Sequence, residues 1–381
     1  MIRRTKLGNV LRLHRGYDIT KAVQRPGPYP IVSSSGVGSY HDEHKFTGPG
    51  VVIGRKGSLG TAFYIPGPYW PHDTTLYVED FKGNDPRYCY YLLKTMRLER
   101  FDVGAANPTL NRNHVHELEV DVVDVHAQFK TASILSAYDE LIENNERRIA
   151  ILAEMARRTY EEWFVHFRVP GCEDLPLVDS PVGQLPHGWE VARLGQVSSI
   201  VMGQSPPSNT YNTNGVGLPF HQGVSQFGDY FPTDKVYCTD LGRRADSGDL
   251  LVSVRAPVGR INIALSKMII GRGLSAIRPV SEYSNLVCGR LRNFFKEEDS
   301  IGHGTIYKAV GRSEIENILV PMPPAHIAKA FEAFCSDRWA LIRNLTLQNR
   351  NFLAQRDLVL PKLISGGIDL SEVQELREAA E

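Results

Sequence analysis

The sequence has no charge excess, 43 Lys and Arg standing against 43 Asp and Glu. A zero total argues mildly against nucleic acid, because neutralising phosphates takes a basic surface. A basic face balanced by acidic helices elsewhere gives the same total, so the objection is weak. There is also no apolar run near the ~20 residues that cross a bilayer. The opening segment MIRRTKLGNVLRLHRGYDI lacks the apolar stretch of a secretory signal, and a cytoplasmic protein is expected. Cysteine is sparse: Cys89, Cys172, Cys238, Cys288 and Cys335 lie far apart, with no C-x-x-C pair and no histidine at finger-like spacing. Free thiols and no zinc follow.

The usual catalytic signatures are missing too: no G-x-x-x-x-G-K-[ST] phosphate loop, no G-x-S-x-G elbow and no H-E-x-x-H. Ser205-Pro206-Pro207-Ser208 and Asp85-Pro86-Arg87-Tyr88 lack the residue order of the Asn/Asp-Pro-Pro-aromatic loop of amino-methyltransferases and read as turns. Nothing places a nucleophile or third ligand beside His72-Asp73 or the His114/His116 pair, so these read as surface or hydrogen-bonded histidines. The Gly54, Gly57, Gly60 spacing fits a hairpin turn better than a dinucleotide fingerprint. No catalytic residue and no metal ligand is expected in this chain.

What is present is length enough for two or more folded domains, and an internal duplication. RNHVHELEV at Arg112 to Val120 answers RSEIENILV at Arg312 to Val320, an offset of 200 (312 minus 112). The same offset pairs His126 with His326, Ile142 with Ile342 and Asn144 with Asn344. Upstream, GPGVVIGRKGSLGTAFYI from Gly48 answers GDLLVSVRAPVGRINIA from Gly248. Each is a β run, a turn carrying Arg with Gly or Pro, and a second β run. Thr109 to Val169 and Ala325 to Leu360 contain neither Gly nor Pro. The first carries an apolar seam at Leu135, Tyr138, Ile142, Asn145, Ile149, Leu152, Ala156, Thr159 and Trp163. The second presents Phe331, Phe334, Leu341, Leu345, Phe352 and Val359. Such helices, on the order of 50 Å long, are too long to be buried singly and should pack on each other. Asn145 and Asn349 fall on the seams, as partly exposed helix-end residues or as a register-fixing polar contact.

The expected fold is α+β: two β-rich mixed domains separated by two long antiparallel coiled-coil helices, with a pseudo-twofold internal duplication. The boundaries drawn are 1–124 for the first domain, 125–168 for the first helix, 169–184 for a linker rich in Pro, Gly and Asp, 185–324 for the second domain, and 325–381 for the second helix and tail. Polar loops on the two β scaffolds supply the residue types that read DNA, since Arg suits guanine edges, Asn and Gln suit adenine edges, and Ser, Thr and Lys mostly hold phosphates. The candidates are Ser34, Arg55, Lys56, Asn107, Asn111, Arg112 and Asn113 in the first half. In the second they are Gln204, Gln222, Arg255, Arg260, Arg272, His303, Tyr307 and Lys308. Helix faces including Leu141, Met155 and Trp339 are candidates for docking partner proteins.

LPHGWEVARLGQV at Leu185 to Val197, EEWFVHF at Glu161 to Phe167, GTIYKAVGRSEIENILVPMPP at Gly304 to Pro324 and LVLPKLISGGIDL at Leu358 to Leu370 resemble the recurring segments of type I restriction-modification specificity subunits. The likeness spans essentially the whole chain. It implies two target-recognition domains, related by an approximate dyad through paired helices, that read the two parts of a bipartite site on double-stranded DNA. It also implies two adenine-methyltransferase subunits and ATP-driven restriction subunits as partners, with S-adenosylmethionine, ATP and Mg confined to them. Two departures are visible: the first domain lacks the Leu-Pro-x-Gly-Trp lead of the second, and Val122 to His126 replaces the Pro-rich stretch at Pro321 to Pro324. The rival classes are a stand-alone DNA methyltransferase or nuclease, which the missing motifs oppose, and a coiled-coil adaptor that binds only proteins.

Overall fold

The computed structural model describes residues 2–101, 109–171, 175–300 and 309–370. The chain folds as two compact units, one of Met1–Asn145 with Leu347–Glu381 and the other of Glu146–Thr346. Each unit therefore takes one half of each long helix.

The first unit contains β1 (Ile2–Lys6), β2 (Arg12–Arg15), β3 (Tyr29–Ser33), β4 (Gly36–His41), β5 (Gly50–Gly54), β6 (Ala62–Ile65), β7 (Trp70–Pro71) and β8 (Thr75–Asp80). These are followed by α1 (Pro86–Thr95), α2 (Arg112–His116), β9 (Glu119–Val123) and the start of α3 (Val125–Tyr160). Its sheets are ordered β2-β8-β5-β6 and β4-β3-β7, with a separate β1-β9 ribbon. The Asp85-Pro86 segment is a helix start and not a turn. Asp85 accepts the Tyr88 amide at 2.7 Å and Pro86 occupies the first turn, where a missing N–H costs nothing. Leu11, Leu13, Ile53, Leu76, Tyr88 and Leu92 form the core, closed by Leu135 of α3 and by Leu360 and Leu363 near the chain's end.

The second unit repeats the plan with β10 (Leu177–Ser180), β11 (Gly183–Pro186), β12 (Glu190–Arg193), α4 (Leu194–Val197), β13 (Ser198–Met202), β14 (Tyr211–Asn212), β15 (Leu218–His221) and β16 (Tyr237–Cys238). It continues through β17 (Arg244–Ala245), β18 (Leu250–Ser253), β19 (Ile261–Ile263), β20 (Met268–Ile270), β21 (Leu274–Pro279), α5 (Ser284–Ser300), α6 (Arg312–Glu316), β22 (Leu319–Met322) and α7 (Ala325–Ile364). Its sheets are β13-β21-β18-β19 and β14-β16-β15-β20-β17, with a β12-β22 ribbon. The segment expected to be a plain linker carries the β10-β11 hairpin, its turn closed by Gly183 at a φ of 95°. The missing Leu-Pro-x-Gly-Trp lead does not break the plan, because β1 pairs β9 antiparallel just as β12 pairs β22. In the second unit that lead supplies Trp189, whose ring meets Phe164 at 5.7 Å and Phe167 at 5.5 Å. The segments around Glu161 and Leu185 thus form one aromatic cluster.

Rising numbers on α3 meet falling numbers on α7. Tyr138 packs on Phe352 and Asn145 bonds Asn349 in the first unit, and Tyr160 meets Phe331 in the second. The long helices are an antiparallel pair. One seam position departs from the expected pattern: Leu341 is 37% exposed, whereas its neighbour Ile342 is fully buried. After Tyr160, α3 loosens into one π turn over Glu161–Val165. Among the described residues, Cys89, Cys238, Cys288 and Cys335 are free and buried, and no helix is long and apolar enough to cross a membrane.

Candidate nucleic-acid interface

In the first unit the β5-β6 turn, the β3-β4 turn and the β7-β8 link converge. The amides of Arg55 and Lys56 both donate to the Thr74 carbonyl (2.9 and 3.1 Å), and the Ser34 amide donates to Thr74 Oγ1 at 3.3 Å. The Leu110 amide donates to the Arg55 carbonyl at 2.9 Å, which brings the start of α2 beside the same turn. Arg55 is half-buried, and its Nη1 is shielded from solvent without a partner. Desolvation first, and then the nearby Arg15 charge, lowers its pKa. Arg15 itself is held by Asp73 at 2.9 Å. Lys56 is exposed on the turn.

In the second unit Gln204, Gln222 and Arg272 meet around Ser205. The Gln222 amide group lies 2.8 to 2.9 Å from Ser205 Oγ, which also takes the Arg272 amide at 3.4 Å. The Gln204 amide donates to Ile270, and the Val254 amide to Gly273, so exposed Arg255 leaves the sheet beside this cluster. Below it His221 is fully buried, with Nε2 2.9 Å from Asp234.

Main-chain bonds align the two sites residue by residue. Arg55 to Thr74 corresponds to Val254 to Gly273, Tyr17 to Pro71 corresponds to Gln204 to Ile270, and His72 to Val32 corresponds to Gly271 to His221. The ladders agree: Ile53 faces Leu76 and Ala62, and Val252 faces Ser275 and Ile261. Over this hairpin the offset is therefore 199 (252 minus 53) and not 200. The bridges from Lys56 to Thr109 and from Arg255 to Ala309 make Lys56, not Arg55, the counterpart of Arg255. Equivalent positions carry Tyr17 and Gln204, Ser33 and Gln222, Asp73 and Arg272, Lys56 and Arg255. Tyr17 and Asp73 are absent from the sequence candidates, whereas Ser33 belongs to the same polar loop as the candidate Ser34; aligning the halves by strand register is the signal that finds the first two.

The remaining candidates fare differently. Asn111 caps α2 by accepting the Asn113 amide at 3.0 Å, which explains its presence without DNA. Arg112 is half-buried and Asn113 exposed on that first turn. Arg260 lies on the far arm of the β18-β19 turn. Asn107, His303, Tyr307 and Lys308 lie outside the described residues. Leu141 and Met155 stand 47% and 39% exposed on α3. Trp339 instead has a partner of its own, packing edge-on against Tyr230 at 5.6 Å with the Arg292 guanidinium 5.5 Å from its ring. Asp18, His72 and Asp73 bring possible ligand atoms within 4.8 Å of one another. Asp73 is already paired with Arg15, and Arg55 adds a second positive charge nearby, so the triple is poorly suited to a cation.

Residues 4–154 match the model of the type I restriction modification DNA specificity domain. Over 255 residues the chain is 32% identical to a Methanocaldococcus jannaschii protein named as the MjaX type I restriction enzyme specificity subunit, covering 65% of this chain and 59% of that protein's length. It is 27% identical over 306 residues to the type I restriction enzyme MjaIX specificity subunit of the same organism, covering 75% of this chain and 70% of the relative. The fold is shared with the S subunit of a type I restriction-modification system from M. genitalium, at a TM-score of 0.66, 15% identity and 97% coverage of both chains. Over residues 4–154 the chain thus resembles the type I restriction modification DNA specificity domain, and over most of its length it is similar to type I restriction enzyme specificity subunits.

Proposed function

We propose that this chain is the DNA-reading, non-catalytic subunit of a type I restriction-modification complex, recognising an asymmetric bipartite site. The observation that carries the reading is the set of equivalent scaffold positions with divergent polar side chains: Tyr17 against Gln204, Ser33 against Gln222, Asp73 against Arg272, Lys56 against Arg255. One backbone frame presented twice with different hydrogen-bonding groups suits two different half-sites. Two adenine-methyltransferase subunits would dock on exposed helix faces that include Leu141 and Met155, with restriction subunits joining them in the cytoplasm. S-adenosylmethionine, ATP and Mg would be bound by those partners.

The test is methyl transfer and duplex binding by the purified full chain, alone and with an adenine-methyltransferase subunit from the same host. Methylation of host DNA only when both are present is the expected result. Methyl transfer by the chain alone would favour a stand-alone methyltransferase. An absence of salt-dependent DNA binding even with the partner would favour a protein-only adaptor.

A further inference from the structure

A polar groove of about 580 Å³ opens in the second unit between the β18-β19 turn, the segment around Asp229 and α5. Its lining includes three cationic side chains, Arg260, Arg292 and Lys296, against one carboxylate, Asp229, with the Glu161 carboxylate outside the lining 3.9 Å from the Lys296 ammonium. The Arg292 guanidinium sits near the rings of Tyr230 and Trp339, and its Nε and Nη2 are shielded from water without a hydrogen-bond partner. A guanidinium does not shed its proton, so these donors stay charged and unsatisfied. Asn262, 2% exposed, spends its Nδ2 on the Gly228 and Ile261 carbonyls (2.9 and 3.0 Å) and leaves Oδ1 buried without a partner. The unsatisfied Arg292 donors and the cation excess suit an anion, whereas Asn262 Oδ1 is an acceptor that asks for a donor such as water.

The fold does not require these groups. By the ladder pairings, the counterparts of Arg260 and Asn262 in the first unit are Thr61 and Phe63, so the Arg260 charge is not repeated there. The groove is continuous with the turn that carries Arg255, since Pro257 and Gly259 line it as well.

We propose that this groove grips a phosphate of the DNA backbone, Arg260 and Lys296 making the contact with the Arg292 charge behind them. The proposal rests on the DNA-reading function above, and it assigns Arg260 to anchoring instead of base reading. The test is the salt dependence of binding to a random-sequence duplex pool by the full chain with its methyltransferase, comparing wild type with Arg260→Gln/Lys296→Gln. Arg292 is left in place so that its packing on Trp339 is undisturbed. The log–log slope is expected to fall by about 0.9, the value for one phosphate no longer neutralised, while the host methylation motif stays the same. Arg260→Lys should keep the wild-type slope. An unchanged slope, or an altered motif with the slope intact, overturns the proposal. Loss of partner co-purification with an unchanged slope would overturn it in favour of an acidic protein segment. If wild-type complex shows no salt-dependent binding, the DNA-reading function itself fails, which the variants' slopes do not decide.

Discussion

Asn145 donates through Nδ2 to Asn349 Oδ1 at 2.8 Å in the buried seam of the first unit, and Asn349 in turn donates to the Ile142 carbonyl at 3.2 Å. Both residues are nearly excluded from solvent, at 5% and 7% exposure. This is the register-fixing arrangement, because a slip of either helix would strand an amide in an apolar seam. Asn349→Leu alone should destabilise the first unit by about 1–3 kcal/mol by leaving Asn145 unpaired. Adding Asn145→Leu should recover most of that loss. Chemical denaturation of the two single variants and the double variant checks this, and additive losses would contradict a coupled pair.

Lys56 and Arg255 occupy equivalent exposed sites. Lys56→Ala and Arg255→Ala should each relax one half of the methylated motif and spare the other. Removing a side chain that reads a base edge should cost about 1–3 kcal/mol of discrimination at one position. Sequencing host DNA methylated by each variant reads the outcome directly, and equal weakening on all sequences would mean phosphate contacts. Arg55→Ala should mainly disturb the turn, because that side chain is half-buried beside Asp73 and Arg15.

Ser205 should act on specificity through Gln222, whose amide group it holds. Ser205→Ala is expected to broaden the base that Gln222→Ala loses, with a smaller effect. A Ser205→Ala motif identical to wild type would show that Gln222 needs no such support.

The proposed docking face and the packing at Trp339 make different predictions. Leu141→Glu and Met155→Glu should abolish methyltransferase co-purification without lowering the melting temperature, since both side chains face solvent. Trp339→Ala should lower the melting temperature, because it removes the packing on Tyr230 and Arg292. Glu332→Ala should do the same: this buried carboxylate accepts the Asn285 and Leu286 amides at 2.8 and 3.0 Å, where α5 begins. A measured loss of about 1–3 kcal/mol is expected from leaving those amides unpaired.

The duplication, the two long helices and the β-rich character of both halves are legible in the sequence because Gly- and Pro-free heptads and turn-punctuated β runs are local signals. The polar seam at Asn145 is legible as a pair of alternatives, which burial then separates. What misleads is the constant offset. Main-chain pairing shifts the hairpin by one residue relative to the helices, so a fixed offset matches Arg55 to Arg255 where the fold matches Lys56. Leu341 falls on the expected seam for a similar reason, as neighbouring apolar residues Leu341 and Ile342 fit the spacing equally well until packing chooses one. The equivalence of Tyr17 with Gln204 and of Asp73 with Arg272 is hidden because positions brought together from the ends of separate strands leave no spacing in the sequence.

The most direct measurement is methylome sequencing of the host with and without this gene. A DNA-reading subunit predicts that deletion removes one set of N6-methyladenines, all within a single asymmetric motif of two defined parts separated by a fixed unspecified spacer. Identical methylomes in the two strains, or the loss of a symmetric uninterrupted motif, would contradict it.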